Sequence, residues 1–189
     1  MKRARTIAAS VLSLVAMSDM AFAHTGHATS GAAAGLAHPM AGFDHLLAML
    51  AVGVWAAMQS TSRAWAGPAV FVSLLAVGAG LGYAGVGVPL VEPGILASVV
   101  LFGAMLVAGR RFPAGAGLAM IGGFALLHGH AHGTEAVGAI SGYVAGFIVA
   151  SALLHVAGFA LGRMVAMIRY GVPATGLVLM AAGIALAAA

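Results

Sequence analysis

The 189 residues are 62% hydrophobic and 6% charged, with a mean hydropathy of +1.09, which excludes a surface that water alone could cover. A helix needs ~20 apolar residues to cross a ~30 Å hydrocarbon core, so this length holds about six crossings and no sizeable extramembrane domain. The absence of cysteine excludes disulfides, thiolate zinc sites and iron–sulfur clusters, and the formal charge of +4 comes from residues at segment ends, where topology rather than a nucleic-acid partner explains it.

Residues 1–23 read as a secretory signal peptide: basic Lys2, Arg3 and Arg5, an apolar run from Ile7 to Met17, then Ala21-Phe22-Ala23 as a small-x-small cleavage site. Cleavage leaves a tail, 24–36, whose His24 and His27 either collect metal through the free amine and imidazole or are an incidental pair. Residues 37–189 then form the membrane domain.

Six apolar segments follow, at about 39–58, 65–83, 93–107, 113–128, 136–161 and 172–188. The expected fold is an all-α integral membrane protein, a six-helix transmembrane bundle. Arg63, Arg110 with Arg111, and Arg163 with Arg169 occupy every other connection, whereas the alternate connections hold Glu92 and then His130, His132 and Glu135. Arginine-bearing loops stay in the cytoplasm, so both mature termini face the periplasm of a bacterial inner membrane. Glycines four apart, as at Gly78 and Gly82, Gly138, Gly142 and Gly146, and Gly158 and Gly162, are expected to let helix backbones approach closely.

The first segment opens on "HPMAGFDHLLAMLAVG", with Pro39 at a first helical position and His38, Asp44 and His45 at the outer end. His38 and His45 share a face if that helix is continuous, and Asp44, about 100° from His45, needs another partner or a distorted backbone. The fourth segment ends in "LLHGHAHGTE". Spacings of four and three there put His128, His132 and Glu135 on one stripe, with His130 off it and a helix break expected at Gly129 and Gly133. His155 falls about 19 residues into the fifth segment, toward its inner end, either as a relay or as a packing hydrogen-bond partner.

Ionisable residues inside membrane segments are costly, and seven imidazoles and carboxylates in two tight groups on one side, His130 included, point to a cation site. Nickel, cobalt, zinc and copper all accept such ligands; no further cofactor is required. Met40 and Met49 are read as packing. The only lysine is Lys2, so the chain carries no P-loop to drive transport. A membrane enzyme is disfavoured by the lack of a His-His pair, and a metal sensor or accessory protein stays as the alternative to a carrier. Homo-oligomer formation is left open.

The two histidine motifs, together with "LLHVAG", resemble those of the HupE/UreJ proteins over nearly the whole mature chain. That resemblance implies nickel uptake, with cobalt second, and points to His38, Asp44, His45, His128, His132 and Glu135.

Overall fold

The computed structural model describes residues 31–136 and 139–189. The expected signal peptide at 1–23, and His24 and His27 of the tail, lie outside them. The described chain is all helical: α1 (Ala32–Ala41), α2 (Phe43–Ala57), α3 (Ala66–Tyr83), α4 (Val91–Ala108), α5 (Ala114–Thr134), α6 (Ile140–Val165) and α7 (Gly171–Ala187), with a short 3₁₀ turn at Gly109–Arg111.

Three stretches, Ala66–Tyr83, Val91–Arg111 and Ile140–Val165, are long and apolar enough to cross a bilayer, and α1 with α2 makes a fourth if that bent pair counts as one span. The expectation of six uniform apolar crossings is met only to that extent. α7 is apolar but has 17 residues. α5, at 21 residues, has the length, but its histidines and glycines dilute its apolar character.

The start of the bundle departs from expectation. Ala-rich residues read as tail form α1, because alanine is the strongest helix former and Gly35 and Gly146 let α1 lie backbone to backbone on α6, against Tyr143 and Ala32 respectively. Pro39 therefore sits inside α1 rather than at a helix start. The chain stops being helical at Gly42, whose φ of −102° and ψ of 118° are extended, and α2 leaves at 86° to α1.

Three helix pairs carry most of the packing: α3 with α5, α2 with α6, and α4 with α7. Each is a glycine seam. Gly78 and Gly82 face the Leu126 and His130 carbonyls, Gly129 and Gly133 face those of Leu75 and Ala79, Gly158 faces Leu50, and Gly103 and Gly176 face one another's carbonyls. Close backbone approach replaces the hydrophobic drive that lipid cannot supply. It also corrects the expected break at Gly129 and Gly133: α5 runs unbroken to Thr134, since those glycines serve the seam and not a turn.

The helices alternate in direction, so charge separates along the bundle. Arg63, Arg110 and Arg111 line one cleft of about 270 Å³, and Arg110 and Arg163 line a neighbouring one of about 430 Å³. The described acids, Asp44, Glu92 and Glu135, lie at helix ends on the opposite side.

Candidate metal-handling site

The 86° bend at Gly42 decides the geometry at the acidic end. It folds α1 back so that His38, on one helix, faces the same space as Asp44 and His45 in the first turn of the next. A continuous helix is therefore not what joins His38 to His45; their rings still come within 6.4 Å. Asp44 finds its partner next door: its Oδ1 accepts from the backbone N–H of His45 and from the His45 ring Nδ1, both at 2.7 Å. A carboxylate holding Nδ1–H fixes the tautomer and leaves Nε2 with its lone pair, and that Nε2 is buried without a hydrogen-bond partner among the described residues.

α5 supplies the facing side. His128 and His132, four apart, share one face and are both completely buried. The His128 Nδ1–H donates to the Phe124 carbonyl at 2.8 Å, so this ring too keeps a free, unpartnered Nε2. Neither nitrogen of His132 has a partner among the described residues; its ring stacks on Phe147 of α6 at 4.8 Å and 17°. Glu135 lies just past the helix as its C-cap. Rather than following His128 and His132 down the stripe, it pairs with His38, Oε2 to Nε2 at 2.8 Å, which ties the two sequence clusters together.

The rings form a descending series. His38 lies 4.8 Å from His132, and His45 lies 4.9 Å from both His132 and His128. Side-chain exposure falls along it, from 52% at Glu135 through 30% at His38 and 13% at His45 to zero at His132 and His128. The group thus runs from a half-exposed rim into the buried interior of the bundle. Among the described residues no three His, Asp or Glu side chains already stand as a formed coordination shell. The histidines pack edge to face, and gathering an ion requires ring rotation. Bare buried nitrogens are costly unless something occasionally satisfies them, and borderline divalent metals accept this donor set.

Two other histidines stand apart from this group. His130, two positions from both His128 and His132, points away from them, and its Nε2–H donates to the Val86 carbonyl at 2.6 Å; it fastens the α3–α4 connection. His155 is buried fifteen residues after the start of α6 and ten before its end. That places it nearer mid-helix than expected, because α6 begins at Ile140 and not at 136. Its Nδ1–H donates to the Met49 carbonyl at 2.8 Å.

Sequence reasoning passed over two residues here. Tyr143 is buried with its hydroxyl unpartnered among the described residues, and its ring lies 5.8 Å from that of His38. Spacing held the clue, since Tyr143, Phe147, Ser151 and His155 recur every four residues on one buried stripe of α6. Phe71 of α3, fully buried, touches the rings of both His128 and His155, and nothing in its local sequence announces that.

The family model for HupE / UreJ proteins matches residues 12–186. A protein named HupE from Rhizobium leguminosarum bv. viciae is 39% identical over 155 residues, which is 81% of this chain and 81% of that protein. No solved structure matches.

Proposed function

The chain belongs to the HupE/UreJ family, and from that premise we propose that it carries a divalent transition-metal cation, nickel first and cobalt second, across a bacterial inner membrane. The family is one of nickel and cobalt transport. The observation that carries the reading for this chain is the histidine cluster: imidazoles with free Nε2 atoms among the described residues, graded from partly exposed to fully buried behind Glu135.

In this mechanism the Glu135–His38 pair opens to admit a hydrated cation at the mouth. His45 and His132 replace part of its water, and His128 takes it deeper. Asp44 acts through His45, holding the ring so that Nε2 faces the ion. The metal is cargo and its gradient, the membrane potential or a proton couple drives it.

The arginine end faces the cytoplasm and the histidine end the periplasm, after removal of residues 1–23 as a signal peptide. Six crossings then follow: α1 with α2, α3, α4, α5, α6 and α7. α5 is sheltered by its seam with α3, and a short α7 is accommodated by local thinning of the bilayer.

Radiolabelled nickel uptake into intact cells, with cobalt, zinc and copper as competitors, tests the reading. His45→Ala and His132→Ala are expected to lower uptake about 10–100-fold. Full uptake by both variants would sink the site; nickel binding without uptake by the unsubstituted protein would make it a sensor or accessory protein instead.

A further inference from the structure

The row of buried rings does not end at His128. The Phe71 ring lies 5.5 Å from that of His128 and 4.9 Å from that of His155, at steep angles to both. No ring contact joins the two histidines directly among the described residues. The two imidazoles are prepared alike. Each gives its Nδ1–H to a backbone carbonyl, Phe124 for one and Met49 for the other, and each keeps a buried Nε2 without a partner among the described residues. A carbonyl can only accept, so in the neutral rings both lone pairs stay on Nε2.

The surroundings of His155 are prepared in the same sense. Ser151, one turn earlier on the same face, donates its hydroxyl proton to the Phe147 carbonyl at 2.7 Å, which leaves its oxygen with lone pairs only. If His155 served only to pack α6 on α2, the Met49 bond would suffice; a free Nε2 at 1% exposure adds a desolvation cost with no packing return.

Resting on the carrier reading, we propose that Phe71 is a partition and His155 a second cation station behind it. A borderline divalent cation that accepts imidazole nitrogen passes from Nε2 of His128 to Nε2 of His155 when the Phe71 ring turns aside. The ring covers the gap with apolar carbon, so an ion that keeps its water shell, such as Mg²⁺, is turned back. Passage is then limited to ions that exchange water for imidazole, which makes Phe71 a determinant of selectivity.

The test uses the purified full chain, with Ni²⁺ titration in detergent and radiolabelled Ni²⁺ uptake after reconstitution into liposomes. His155→Asn keeps an amide N–H near the Nδ1 position for the Met49 carbonyl but offers no nitrogen at the Nε2 position. It is expected to bind Ni²⁺ with unchanged affinity at the outer histidines while uptake falls about 10–100-fold. Phe71→Leu and Phe71→Ala are expected to admit Mg²⁺ in increasing amounts.

Uptake by His155→Asn equal to that of the unsubstituted chain overturns the station, since the Met49 bond alone would then explain the residue. Loss of Ni²⁺ binding in His155→Asn overturns it as well, by merging His155 with the outer site. Unchanged Mg²⁺ exclusion in whichever Phe71 variant reconstitutes overturns the partition. If the unsubstituted chain moves no Ni²⁺, the carrier reading falls and takes this one with it, whereas the outcomes above strike this inference alone.

Discussion

The α3–α5 and α4–α7 pairs are built by one device and used for different ends. Both are glycine seams, with Gly129 against Leu75 in one and Gly103 against Gly176 in the other. The buried residues of the α4–α7 pair are apolar apart from Ser98, whose hydroxyl is spent on the Ile95 carbonyl. The α3–α5 pair buries His128, His130 and His132. Close backbone packing is therefore a scaffold in both, and in one of them it also holds a face of α5 toward α2 and α6. The seam supplies rigidity; the residues on the opposite face supply chemistry.

Substitutions can separate these roles. The largest divergence is expected from His132→Ala. Nickel uptake should fall about 10–100-fold, yet the melting temperature in detergent should change little, because the lost packing on Phe147 is offset by removing two unpartnered buried nitrogens. A large loss of stability would show that His132 is structural.

Gly176→Leu reverses the pattern. A side chain there meets the Gly103 carbonyl at 2.5 Å and the Val107 backbone at 2.9 Å, so overpacking should cost about 1–3 kcal/mol or more. Uptake per folded molecule should remain that of the unsubstituted chain. Impaired Ni²⁺ affinity in the folded fraction would mean the two regions are not separable.

Gly42→Ala falls between. Its Cβ would stand 2.9 Å from the Asp44 carboxylate and 3.1 Å from Nδ1 of His45. The expected result is weaker Ni²⁺ binding by titration with near-normal stability, since the disturbed atoms are side-chain ends. Unchanged affinity would count against the role given to the Asp44–His45 pair.

The smallest effect is that of pH. The neutral ring is the ligand and protonation removes its lone pair, so protons compete with metal. Uptake should fall as external pH is lowered, and a flat pH profile would count against imidazole capture. The stability of the α4–α7 pair should not follow it, having no histidine to titrate.

How much of this was legible in the sequence depends on the range of the interactions. The separation of arginines from acids follows from alternating loops and reappears as two arginine-lined clefts at one end. The pairing of His128 with His132 is local helical geometry and was readable. The His38–Glu135 contact spans almost a hundred positions and depends on the turn at Gly42, which a continuous-helix reading misses. α1 was hidden because its weakly apolar, alanine-rich sequence becomes a helix of the bundle only through Gly35 and Gly146 on α6. The count of six crossings stands out only in part, as three or four spans by length and composition, because bulk hydropathy does not register the bend between α1 and α2 or the polar stripe on α5. Phe71 and Tyr143 gain their meaning from rings on other helices, which no local pattern encodes.

The clefts at the far end bear on which ions can gather there. Arg63, Arg110, Arg111 and Arg163 line them, and their combined field thins the local population of any dication and concentrates anions. The two ends of the bundle thus differ in the sign of ion they favour, a difference that high salt should erase.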